Sequence, residues 1–217
     1  MVFYAEQDVP SVLHARPAFD RAATEQLVAR LFPEHTVTPI DDVTLLEGDP
    51  PDDHVYAAVW PGATVVCAAE LGVDQPSAVD PRFLAEGAGR AVYLHAMHSV
   101  VDWFAFGVWE PDGSLRRAFS LSPDSGVIED VGERLEFEAP YWAGDHPAED
   151  PEDLDDEDEP YPFAFHPLEL AEEALAHLFG FVYEGPASIT VDTIDPDDIP
   201  LAAFTLTARK RKWFGRR

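Results

Sequence analysis

Apolar positions along this chain fall in short runs punctuated by Pro, Gly and Asp, a pattern that predicts a sheet-rich fold. Val2–Ala5 reads as an opening strand. In residues 17–32, Phe19, Ala23, Leu27 and Leu31 recur at helical spacing, with Pro17 at the first helical position and Pro33 as the stop. Residues 36–46 read as a strand, and 54–60 with 63–70 as a hairpin around Pro61-Gly62. Asp80 and Pro81 open a short helix over 80–86. Residues 91–98 and 101–109 form two apolar strands. Beyond them, Glu110-Pro-Asp-Gly113 turns the chain into a strand over 114–122 with Leu115, Arg117, Phe119 and Leu121 on one face. Pro123-Asp-Ser-Gly126 turns it again.

Residues 148–160 hold nine acids and a single leucine, which predicts a disordered acidic loop, because such a segment buries too little apolar surface to order itself. Next comes a helix over 166–179, with Pro167 at its start, Leu168, Ala171, Leu175, Leu178 and Phe179 as its apolar stripe, and Gly180 at its end. Glu169, Glu172 and Glu173 complement its N-terminal dipole. Residues 188–191 and 201–208 read as closing strands. The expected fold is a single α+β domain over 1–208, a mainly antiparallel sheet with two principal flanking helices, 17–32 and 166–179, followed by a basic tail over 209–217.

The charge is segregated. Residues 1–208 carry all 42 acids and only 8 of the 14 basic residues, a formal −34, whereas 209–217 carry +6 around Trp213-Phe214. An acidic body is repelled by nucleic-acid backbones, which makes nucleic acid an unlikely partner. With 46% hydrophobic residues, wholesale disorder is excluded. The single Cys67, in an apolar run, forms no internal disulfide and reads as buried filler. The membrane-length stretch 91–109 contains Asp102 and two histidines, so no transmembrane segment is expected. Met-Val-Phe-Tyr-Ala-Glu lacks the basic start of a signal peptide, and the expected location is cytoplasmic.

His95-Ala-Met-His98, followed by Asp102 and Trp103, is the best candidate for chemistry. On a helix the two histidines would share a face and bind a metal. On the favoured strand they point to opposite faces, so no metal site is expected, and core histidines are the plainer reading. His98 and Asp102 are the candidate proton-transfer pair, with Trp103, Asp124 and Trp142 as candidate ligand contacts. The serines around Asp124 are better explained by turn formation, and the Tyr141-Trp142 pair by anchoring a loop to the core, than by ligand contact. The acidic run lacks the spacing of a calcium loop, and no motif for a cofactor is present.

Residues 94–110 (Leu-His-Ala-Met-His-Ser-Val-Val-Asp-Trp-Phe-Ala-Phe-Gly-Val-Trp-Glu), 120–130, 140–144 and 166–170 together resemble an uncharacterised actinobacterial family, a domain of unknown function. The resemblance is strongest over 91–144 and 161–182. It implies a bacterial, cytoplasmic protein and supplies no activity, cofactor or site residue.

The expectation is a non-catalytic binding or regulatory module that acts through its charged surface. The alternative is a hydrolase-type or metal-assisted enzyme built on His98 and Asp102. Arg209, Lys210, Arg211, Lys212, Trp213, Arg216 and Arg217 are expected to contact an anionic partner. That partner is expected to be the protein's own or a neighbouring copy's acidic surface, with an anionic membrane surface as runner-up and a freely solvated tail that binds nothing as the plain alternative.

Overall fold

A computed structural model describes residues 1–148, 161–185 and 189–209. The predicted acidic loop, apart from Ala148, and the basic tail beyond Arg209 lie outside these residues. Ten strands form one antiparallel sheet: β1 (Val2–Ala5), β2 (His35–Pro39), β3 (Val43–Thr44), β4 (His54–Trp60), β5 (Ala63–Cys67), β6 (Ala91–His98), β7 (Trp103–Trp109), β8 (Leu115–Ser122), β9 (Gly126–Gly132) and β10 (Pro200–Ala208). They lie in the order β2-β10-β4-β5-β1-β6-β7-β8-β9, with β3 also paired to β10. Five short helices accompany them: α1 (Val9–His14), α2 (Arg21–Leu31), α3 (Pro81–Glu86), α4 (Ala139–Ala143) and α5 (Pro167–Phe179). The sheet dominates, so the expected α+β class describes the protein only roughly.

Both faces of the sheet are covered. On one, Phe3, Val65, Ala203 and Phe106 meet α1, α4 and α5 through Leu13, Tyr141, Leu170, Leu175 and Phe179. On the other, Tyr4, Val55, Val66, Leu94 and Phe204 meet Leu27, Val28 and Leu31 of α2 and Phe83 of α3. Strand periodicity alone sorts neighbours between the two faces. The two principal helices therefore sit on opposite sides, and each fully buried Leu or Phe contributes roughly 1.5–3 kcal/mol of transfer free energy.

Several predicted elements shift. The helix predicted over 17–32 starts at Arg21, because Asp20 caps it by accepting from Ala23 N at 3.0 Å. Residues 17–20 are not helical, and a separate helix, α1, lies before them, capped by Asp8 accepting from Ser11 N. The strand predicted over 36–46 divides into β2, β3 and a 3₁₀ turn, Leu45–Glu47. Residues 189–191 are not in a strand. Leu115 does not share a face with Phe119 and Leu121: Trp109 pairs with Leu115 but Val108 pairs with Arg117. The extra residue, Arg116, is a bulge that turns Leu115 to the opposite core. The β4–β5 hairpin, the Asp80 cap and the Gly113 turn (φ +85°) form as the sequence predicts.

Candidate functional site

At one end of the sheet, β1 begins, β5 and β6 finish, β7 begins and β8 finishes, since antiparallel neighbours alternate in direction. There the loops enclose a cleft of about 1200 Å³. Its walls come from the 46–50 and 68–74 loops, the β6–β7 connection, the β8–β9 turn, the first turn of α5 and residues 183–185. No helix among the described residues is long and apolar enough to cross a membrane.

The β6–β7 connection explains the cleft's exposed apolar rim. His98 ends β6 and caps a 3₁₀ turn, Ser99–Val101, with its Nδ1 accepting from Val100 N at 3.3 Å. Asp102 then takes a left-handed conformation (φ +46°) so that Trp103 can start β7 opposite His98. The turn leaves Val100 83% exposed and Val101 48% exposed; Leu46, across the cleft, is 49% exposed. Trp103 lines the cleft, and its buried indole N–H has no hydrogen-bond partner among the described residues.

The cleft is also acidic. Asp49, Asp74, Asp124, Glu169, Glu172 and Glu184 line it, and among the described residues no lysine or arginine does. Glu172 is the buried one: its carboxylate accepts from Tyr183 N at 2.9 Å and Glu184 N at 3.2 Å. Burial raises its pKa above the ordinary carboxylate value, and these backbone N–H groups oppose the rise. Glu172 thus fastens the 183–185 wall to α5. It does not face solvent as a dipole partner.

His95 and His98 point to opposite faces, as strand spacing predicts. His95 is 1% exposed and contacts Phe104 and Phe179. Its Nε2 lies 3.0 Å from the Ala171 carbonyl; a carbonyl only accepts, so Nε2 carries the proton. Burial lowers its pKa to about 3, against the raising effect of that hydrogen bond. Among the described residues no group of three or more His, Cys, Asp and Glu is placed to hold a metal ion.

Of the sequence-derived site residues, the structure gathers His98, Trp103 and Asp124 on the cleft. Asp102 and Trp142 are not on it. The Asp102 carboxylate accepts from the Tyr161 hydroxyl at 3.1 Å and lies 3.5 Å from His166 Nε2, while the Tyr161 and His166 rings stack. Trp142 packs edge-on against Phe119 and Phe165, with the Arg134 guanidinium 3.7 Å from its ring centre. It anchors α4 to the core. The Asp124 turn is closed by Ser125 N donating to the Ser122 carbonyl and hydroxyl, each at 3.2 Å. Arg209 donates its backbone N–H to the Glu34 carbonyl, while Lys210, Arg211, Lys212, Trp213, Arg216 and Arg217 lie outside the described residues.

Sequence reasoning missed Asp49, Asp74 and Glu184, which stand in three separate loops with no local signal joining them. Glu172 did carry a signal. It lies four residues after Leu168 and three before Leu175, inside the apolar stripe of α5, where an acid needs a buried partner.

A model described as a family of unknown function (DUF6928) matches residues 1–204, and the chain belongs to that family. No curated protein and no solved structure matches the chain.

Proposed function

With membership of a family that has no assigned activity as the starting point, we propose that this protein is a non-catalytic binding module. Its cleft takes a cationic, amphipathic ligand, such as a basic peptide segment bearing aromatic side chains. One observation carries the reading: among the described residues, six carboxylates and no lysine or arginine line a concave surface that also presents Trp103, Met97, Val100 and Val101. Like charges in a concave wall focus the field and raise the local concentration of the opposite charge. An aromatic face adds a cation–π contribution of about 0.5–2 kcal/mol. The titratable groups nearest the core are engaged in structure: His95 donates to Ala171 and Glu172 holds the 183–184 backbone. The alternative enzyme needs His98 and Asp102 to act together, yet the carboxylate of Asp102 is engaged by Tyr161 and His166. The proposed setting is the cytoplasm of a bacterium.

Fluorescence titration of the full-length protein with spermine, a Lys/Arg/Trp nonapeptide and an acidic nonapeptide tests this reading. The basic aromatic peptide is expected to bind most tightly, to weaken with added salt, and to lose at least ten-fold affinity in the Asp49→Asn/Asp74→Asn/Asp124→Asn variant. Equal binding of the acidic peptide, or no effect of the triple substitution, overturns it.

A further inference from the structure

Every arginine of residues 1–208 is already engaged, whereas among the described residues no lysine or arginine pairs with the cleft's carboxylates, and only the Met1 α-ammonium lies near one of them, Asp49. Arg16 pairs with Asp198, Arg21 with Asp42, Arg30 and Arg90 with Glu86, Arg82 with Glu70, Arg116 with Glu110 and Arg117 with Glu138, while Arg134 lies over Trp142. None of the six cleft acids has an ion-pair partner among the described residues. The lysine and arginine side chains that remain in this chain lie in its tail, where Lys210, Arg211, Lys212, Arg216 and Arg217 surround Trp213 and Phe214. Residues 1–208 contain no lysine at all.

The topology brings β10, the strand before that tail, to the cleft's end of the sheet. β10 runs from Pro200 to Ala208, with Thr205 opposite His54 at the start of β4. It therefore leaves the sheet at the end where Met1 starts β1 and His98 ends β6, the end that holds the cleft. Leu206 N donates to the Asp53 carbonyl at 2.7 Å, in the same loop that contributes Asp49 and Pro50 to the cleft wall. From β10 across β4, β5 and β1 to β6 and β7, whose connection carries the rim, is four to five strand spacings, about 19–24 Å at 4.7–4.9 Å each. Residues 210–217, extended, reach about 26–29 Å.

We propose that residues 210–217 are the cleft's own resident ligand: the tail folds back within one molecule and sets its cations against the cleft carboxylates and its Trp213-Phe214 pair against the apolar rim. This rests on the binding function proposed above and adds its regulation, since an outside cationic ligand must displace the tail. Tethering holds the tail at an effective concentration in the millimolar range. The acidic run over 149–159 offers charge, but its composition supplies only Leu154 for two aromatic rings, whereas the cleft supplies both charge and apolar surface.

The test compares the full-length protein with two full-length tail variants, Lys210→Glu/Arg211→Glu/Lys212→Glu and Trp213→Ala/Phe214→Ala, each with a single cooperative urea transition as the folding control. A synthetic peptide of residues 209–217 is the probe, and amide and indole NMR shifts are the site readout. The peptide is expected to bind both variants at least ten-fold more tightly than the unaltered protein. The Trp103 indole and the Val100 and Val101 amides are expected to move between the unaltered and variant proteins, with no dependence on dilution. Equal peptide affinity for all three forms overturns the resident tail while leaving the binding function standing. Shift differences confined to 149–160 assign the tail to the acidic run, and differences that vanish on dilution assign it to a neighbouring copy; either overturns the proposal. Failure of both variants to bind either the peptide or spermine removes the binding function itself.

Discussion

The Arg117 guanidinium and the Glu138 carboxylate meet in a two-pronged pair, Nε to Oε1 at 2.9 Å and Nη2 to Oε2 at 2.7 Å, with no exposed surface on either side chain. Asp130 Oδ1 accepts from Nη1 at 2.5 Å, and the Val131 carbonyl accepts from the same nitrogen. Burial disfavours the guanidinium's charge, but the bonds to Glu138 and Asp130 outweigh it and hold its pKa above the ordinary arginine value. The Phe106 and Phe119 rings flank the cation. Removing one partner strands a charge in the core. Glu138→Ala is expected to lose about 3–5 kcal/mol, and the joint change Arg117→Met/Glu138→Leu to recover most of that loss. Urea denaturation of the three proteins measures both.

His95 makes stability depend on pH. Its folded pKa of about 3 lies below the ordinary value of 6.5, so between these limits the unfolded chain binds a proton that the folded chain does not. Its contribution is complete above pH 6.5 and is lost as pH falls toward 3, at up to about 1.4 kcal/mol per pH unit. Glu172 works in the opposite sense. Burial raises its folded pKa, so its contribution is present below the ordinary 4.5 and is lost as pH rises through the raised value. Urea midpoints between pH 7.5 and 4 are therefore expected to fall less steeply in His95→Gln than in the unaltered protein. Parallel curves would remove His95 as the cause.

Cys67 lies wholly inside the sheet's α5-side core, and burial raises its thiol to about 11. A thiol held protonated is a poor nucleophile. Reaction with a disulfide reagent at pH 8 is expected to proceed at the unfolding rate, accelerating with urea as the fluorescence change does. Fast labelling of the native protein would contradict this placement.

Gly113 and Gly132 share a φ of +85° but differ in what surrounds them. A Cβ at Gly113 meets nothing within 4 Å, whereas one at Gly132 falls 2.0 Å from the Arg116 carbonyl oxygen. Gly113→Ala is expected to lose only the left-handed penalty of about 1–2 kcal/mol. Gly132→Ala must also push β9 away from the bulge in β8, where Arg117 pairs with Gly132. A larger drop in thermal midpoint for Gly132→Ala than for Gly113→Ala checks the contrast.

Local chemistry made parts of this protein legible in its sequence. Pro61-Gly62 marks the β4–β5 hairpin, Asp80 the start of α3, Gly180 the end of α5, and the odd spacing of His95 and His98 their opposite faces. The bulge at Arg116 was invisible because it depends on the partner strand. For the same reason, three charges as scattered as Arg117, Asp130 and Glu138 gave no sign that they converge. The cleft lay between these cases. His98, Trp103 and Asp124 stood out by type and neighbourhood, but the acids facing them arrive from separate loops through tertiary packing alone.

The last strand is the one that completes the first half of the sheet. β10 lies between β2 and β4, pairing with both, although more than a hundred residues of sequence separate it from either. During synthesis, β2 and β4 therefore wait with unpaired backbone edges until nearly all of the described chain has been made. Unpaired edges invite pairing with other chains. A premature stop before Pro200 would therefore yield an aggregating fragment rather than a shortened but working protein, because the edges of β2 and β4 would never be covered.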